Sequence, residues 1–147
     1  MTTISQNDGE ILDNKISSIS DFFQLMKPRV MSLVIFTALI GYFCGVFSTE
    51  TILNPYLSII GILAIALGAG SSGVLNQWYD RDVDSMMERT KNRPIPKGKI
   101  EPSDALAFGL IGSILSIVIL GLCINWLAGF LLFFTIIFYA VFYTICL

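Results

Sequence analysis

Asn76, Asp80 and Asp84 stand at intervals of four residues where a long apolar run gives way to charge, in a chain of 147 residues that contains no histidine. If a helix continues through them, each lies only about 40° around the axis from the last, so two carboxylates and a carboxamide form one stripe. Such a stripe offers hard oxygen donors. Mg²⁺ is typically held by one or two carboxylates, with water and phosphate oxygens completing its shell. Asp82 points to another face and stands outside the primary site. Downstream, Arg89, Lys91, Arg93 and Lys97 can close over a polyanion, Arg through a bidentate fork and Lys as a point charge. Acid stripe and basic flap together suggest a site for a metal ion and a diphosphate. Spacing alone also allows a plainer reading, in which charges at a helix end solvate that end and fix its orientation. Depth favours the first: Asn76 follows directly on an apolar span, at a membrane edge where polar groups are costly and more often functional.

The elements that must position these residues follow from composition. The chain is 54% hydrophobic and 14% charged, with a mean hydropathy of +0.75, whereas soluble domains carry about 25% charged residues. It is a membrane protein. No charged residue occurs over 30–49, 51–79 or 105–147, and a spanning helix needs about 20 apolar residues. The first two runs hold one span each. The third is long enough for two, with a break at Asn125, Trp126 and Gly129. The fold class is therefore all-α, a polytopic membrane bundle of four helices near 29–48, 55–79, 103–124 and 127–147.

Local signals agree with this division. Pro28 and Pro55 sit where the first two helices begin, as Pro is tolerated in a first turn. The two prolines and glycine of "RPIPKGK" make 93–99 an extended loop. "EPSDA" then restarts a helix, with Asp104 favourable against its dipole. "GAGSSG" at 68–73 supplies small residues that let a second helix approach closely. Residues 1–20 form a polar leader expected to be disordered, ahead of a membrane domain over 21–147. The leader is acidic at Asp8, Glu10 and Asp13, which does not fit a cleavable signal peptide. Cys44, Cys123 and Cys146 fall inside the predicted spans and read as small apolar packing residues.

Charge also orients the bundle and removes whole classes of function. All nine basic residues lie before the first span or between the second and third, so the positive-inside rule places the N-terminus and the 80–104 loop in the cytoplasm, or the matrix of a mitochondrion. The absence of histidine excludes imidazole metal sites, His-ligated haem and a His general base. A net charge of -2 gives nucleic-acid binding no support.

The stretch "NQWYDRDVDSMMERTKNRP" at 76–94 resembles the first aspartate-rich motif, N-x-x-x-D-x-x-x-D, of the UbiA superfamily of intramembrane prenyltransferases. More narrowly, "DRDVDSMMERTKNRP" is similar to the D-R-D-[IV]-D-x-x-M-x-R-T-x-x-R-P signature of the branch that farnesylates haem, and "LMKPRVMSLVIFT" at 25–37 is similar to that branch's first helix. Gln77, where many members have Asp, fits the haem branch better than the quinone branches. The resemblance covers 21–147 and implies half of a UbiA-type fold. It implies Asn76, Asp80 and Asp84 as ligands of Mg²⁺ and diphosphate, with Arg81, Arg89 and Arg93 assisting. The implied reaction moves a farnesyl group from farnesyl diphosphate to a vinyl group of protohaem IX (haem B), with water added, giving haem O. Substrates and enzyme would meet in the lipid bilayer of a bacterial or mitochondrial inner membrane. The family's chains are longer and carry a second aspartate-rich motif, whereas no Asp or Glu follows Asp104 here. The sequence thus looks like an N-terminal half that a separate C-terminal half or a second copy would complete. A quinone-type aromatic prenyltransferase and a non-catalytic membrane protein are the alternatives.

Overall fold

The computed structural model describes residues 18–49 and 54–146. Helix α1 (Ile19–Leu25) is started by a capping box: the Ser18 hydroxyl accepts from the first turn and the Asp21 carboxylate accepts from the Ser18 N–H. It begins within the last residues of the expected leader, the rest of which lies outside the described residues. Helix α2 (Pro28–Thr49) follows, then α3 (Pro55–Tyr79), capped by the Asn54 side chain, which accepts from the Tyr56 N–H at 3.1 Å. A short α4 (Arg81–Met86) leads into the loop, and α5 (Pro102–Cys123) returns across the bundle. Asn125 caps α6 (Trp126–Ile137), accepting from the Leu127 N–H at 3.1 Å. A π-helical turn at Phe138–Phe142 and a final α7 (Tyr143–Cys146) extend α6.

Helices α2, α3 and α5 are long and apolar enough to cross a membrane, while the fourth apolar segment, Trp126–Phe142, is shorter. The π turn interrupts the expected fourth span. The protein is a multi-pass membrane helix bundle, and α3 is its centre: half of its apolar stretch is buried, against a third of that of α5 and none of that of α2. Small residues make this possible. Ser71 and Leu75 of α3 lie against Gly109 and Gly112 of α5 so closely that a Cβ at either glycine would run into their side chains. Gly129 of α6 meets α5 backbone to backbone, and a Cβ there would sit 3.1 Å from Gly121 Cα. Without a hydrophobic drive between helices in lipid, close packing of this kind holds a bundle together. Of the cysteines read as packing residues, Cys123 is half-buried, whereas Cys44 and Cys146 are exposed on the outer surface; all three are free thiols.

At the charged end Leu25, Val74, Ile95, Ile100 and Ala105 form a small core, with Phe22, Met26, Trp78 and Phe108 around it. This core corrects the expectation of an extended loop over 93–99. The segment runs instead as successive turns, with Lys97 N–H bonded to Arg93 O at 3.1 Å, Gly98 N–H to Ile95 O at 2.9 Å and Lys99 N–H to Pro94 O at 3.0 Å. Burying Ile95 and Ile100 pulls the loop under the bundle, and Gly98 supplies the left-handed backbone (φ +72°) that the reversal needs. Lys99 ties the loop to α1 through Asp21 at 3.4 Å.

Candidate active site

The acid stripe survives, but not on one continuous helix. Helix α3 ends at Tyr79, and Asp80 (φ -81°, ψ 2°) is a one-residue joint to α4. The backbone ladder crosses that joint: Asp80 N–H donates to Asn76 O at 3.0 Å and Asp84 N–H to Asp80 O at 2.8 Å. The four-residue spacing therefore still stacks the three side chains. Asp80 does not cap α4 with its own carboxylate, which instead accepts from the Asn76 amide at 3.2 Å. Asn76 and Asp84 are buried and Asp80 half-buried. Burial, and next the neighbouring Asp84 carboxylate, push the Asp80 pKa above the ordinary carboxylate range. Asp82 is exposed to solvent, as its exclusion from the stripe required.

The flap closes only in part. Arg93 donates to the Asp84 carboxylate at 2.5 Å, and the Thr90 hydroxyl donates to the Asp84 carbonyl at 3.1 Å. These two bonds fold the loop back onto the stripe. Arg89 lines a cleft beside Arg93. The other expected diphosphate residues are held elsewhere. Arg81 donates to the Trp78 carbonyl at 2.9 Å and stacks over the Trp78 ring at 4.9 Å, an arrangement that a guanidinium three residues past a tryptophan readily adopts. Lys91 pairs with Glu88 at 3.4 Å, and Lys97 is exposed on its turn.

Lys27, one of the nine basic residues that orient the bundle, lies at the site in the structure, lining a cleft with Arg89 and Arg93. Lys27 adopts φ +52°, a backbone region few non-glycine residues occupy. Pro28 already disfavours the right-handed helical region for the residue before it. Lys27 N–H donates to Gln24 O at 3.2 Å, and Lys27 O accepts from Val30 N–H at 2.9 Å, so one residue ends α1 and starts α2. The buried Gln77 amide donates to the Leu25 carbonyl at 2.6 Å and fixes this turn against α3. Burial, and next Arg93, lower the Lys27 pKa, while Asp84 and Asp80 oppose the shift, placing all four groups in one electrostatic field. The sequence signal was the Lys-Pro pair itself, together with a capping box that brings the segment back over the bundle.

Among the described residues no group of three or more His, Cys, Asp or Glu side chains could hold a metal ion. The donor set is two carboxylates and a carboxamide. It fits a small hard cation that keeps several positions for water or phosphate oxygens, and two carboxylates that disfavour each other's charge are relieved by such an ion. Far from this site, an apolar groove of about 550 Å³ lies among α2, α3, α5 and α6, lined by Tyr42, Asn54, Gly61, Leu120, Ile124 and Leu132. It opens toward the opposite end of α3, a helix about 37 Å long.

Together the spans and the membrane-edge stripe define a polytopic α-helical membrane protein with an acidic site at one mouth of the bundle. The chain belongs to the UbiA prenyltransferase family, whose pattern matches residues 34–147. It is 53% identical over its whole length to the protoheme IX farnesyltransferase of Rhizobium etli, covering 46% of that protein. It is 54% identical to protoheme IX farnesyltransferase 2 of Mesorhizobium japonicum and 56% identical to the protoheme IX farnesyltransferase of Sinorhizobium fredii, in each case over 89% of this chain and 40% of the relative. The chain thus spans less than half the length of these curated relatives. No solved structure matches it.

Proposed function

We propose that this chain is the N-terminal part of a haem O synthase, which moves a farnesyl group from farnesyl diphosphate to a vinyl group of protohaem IX. The observation that supports this most is the identity of 53% across the whole chain to a protein named for that reaction. In the reaction the allylic C–O bond breaks and its electron pair leaves on the diphosphate. The vinyl π pair forms the new C–C bond, and water adds at the neighbouring carbon with loss of a proton.

Asn76, Asp80 and Asp84 would hold Mg²⁺, which when bound supplies positive charge to the departing diphosphate. Arg93 fixes the Asp84 carboxylate and presents its remaining donors beside it, and Arg89 adds charge from the same loop. Arg81, Lys91 and Lys97 would reach the diphosphate only by rearranging. The apolar spans keep bulk water from the reactive allyl group, and both farnesyl chain and porphyrin are apolar enough to enter from lipid. The placement of all nine basic residues supports an orientation with the N-terminus and the 80–104 loop on the cytoplasmic side of a bacterial inner membrane. The remainder of the site would come from a C-terminal half or a second copy. Offering the completed enzyme protohaem IX and an aromatic acid in parallel tests the acceptor: prenylation of haem alone is expected, and prenylation of the aromatic acid alone would replace this reading with a quinone-type enzyme.

A further inference from the structure

We infer that Arg81 is a positioning residue for the acid stripe: held on the carbonyl and the ring of Trp78, it fixes the joint between α3 and α4 and so keeps Asp84 in line with Asp80. The inference deepens the reading of Asn76, Asp80 and Asp84 as cation ligands and rests on it. At the joint Asp80 has ψ 2°, well away from the helical value of about -42°, so the direction of α4 is set there. Helix α4 has only six residues and no side-chain cap at its start, too little to persist without contacts from elsewhere. Its far end is tied down, since the Asp84 carbonyl accepts from the Thr90 hydroxyl at 3.1 Å and the Asp84 carboxylate accepts from Arg93. Its near end is held by its first residue, Arg81.

Two contacts carry Arg81 back into α3. Its guanidinium donates to the Trp78 carbonyl at 2.9 Å, one of the last four carbonyls of α3, which have no partner within that helix. The guanidinium carbon also lies 4.9 Å from the centre of the Trp78 ring, within reach of a cation–π contact. That ring packs on the small core of Leu25, Val74, Ile95, Ile100 and Ala105, so the guanidinium ties α4 to a buried part of the bundle. Asp82 adds little to the hold, because its carboxylate is 3.9 Å away and its side chain 82% exposed. The sign of one measurement separates this role from a charge effect. Removing a cation one residue from a ligand carboxylate strengthens cation binding if charge alone acts, whereas releasing the joint weakens it.

The test measures Mn²⁺ binding to the 147-residue chain in phosphatidylcholine nanodiscs by electron paramagnetic resonance. No diphosphate is present, so contact between Arg81 and a phosphate makes no contribution. Mn²⁺ suits the same carboxylate and carbonyl donors as Mg²⁺. Arg81→Gln and Trp78→Leu are each expected to weaken binding about tenfold or more, as loss of a group that orients metal ligands does. The double variant should bind no more weakly than either single one, because both remove the same contact. Amide exchange over 81–86 should quicken in all three, while the unfolding midpoint stays that of wild type. Trp78→Phe keeps a ring under the guanidinium, and Arg29→Gln removes a cation from an exposed position of α2; both should bind as wild type does. Unchanged or tighter binding in Arg81→Gln, undiminished binding in Trp78→Leu, losses that add in the double variant, an equal loss in Arg29→Gln, or a lowered midpoint that accounts for the loss would overturn the role of Arg81. Failure of wild type itself to bind Mn²⁺ would instead sink the reading of the stripe as a metal site.

Discussion

Asp80 and Asp84 share a face but not an environment. Asp84 is buried and neutralised by Arg93, whereas Asp80 is half-buried, accepts one amide bond and feels Asp84 as a like charge. Under the proposed function the two would be equally necessary for different reasons: Asp80 as the more accessible of the two proposed metal ligands, Asp84 as the second and as the anchor of the basic loop through Arg93. In a completed enzyme, Asp80→Asn or Asp84→Asn is expected to lower kcat by about 10² to 10³, the range seen when a preorganised electrostatic contact to a leaving group is lost, with membrane insertion intact. Asp82→Asn, with a side chain 82% exposed, should cost far less. Steady-state rates on the three variants decide the matter, and equal losses would mean that the shared face of Asn76, Asp80 and Asp84 is not the working surface.

Helices meet through missing side chains in this bundle, and that gives the elements their own test. At Gly129 the nearest obstacles to a Cβ are Gly121 Cα, the Ile117 carbonyl and Gly121 N, at 3.1 to 3.2 Å, all of them backbone atoms that cannot turn aside. Gly129→Ala must push α5 and α6 apart and is expected to destabilise the bundle by about 1–3 kcal/mol, as overpacking does. Gly45→Ala on the outer face of α2 meets nothing within 4 Å and should be neutral or slightly stabilising. Unfolding midpoints in detergent would separate the two, and equal behaviour would contradict the close α5–α6 contact. The spans were legible in the sequence because long uncharged runs have few alternatives in a bilayer; Pro28, Pro55 and Pro102 marked three starts to within a residue. The stripe was legible because a spacing of four survives the joint at Asp80. What escaped was short or tertiary. Helix α1 has only seven residues, too few for a periodic pattern, although Ser18 and Asp21 spell its capping box. The folded loop depends on Ile95 and Ile100 reaching a core that local sequence does not display. Arg81 was drawn to the ring of Trp78, a contact that competes with any motif role.

At the scale of the whole molecule, charge and apolar length decide orientation and enclosure. A reporter fused after Met1 or inserted near Lys97 should be cytoplasmic and one near Asn54 external, because every basic residue lies on the first of these sides; cytoplasmic labelling near Asn54 would invert the topology. Enclosure is a different matter. One acid stripe offers two carboxylates, and α2 leaves its whole apolar length outside the bundle core. The relatives bring more than as much chain again to the same task. The most direct test of a haem O synthase half-site is reconstitution of the 147-residue chain in liposomes with Mg²⁺, farnesyl diphosphate and protohaem IX, alone and co-expressed with the C-terminal half of a Rhizobium etli relative. Haem O formed by the paired halves, absent for the chain alone and lost with Asp80→Asn, is the expected result. Paired halves that insert and associate yet form no haem O, or that form it undiminished with Asp80→Asn, would contradict it.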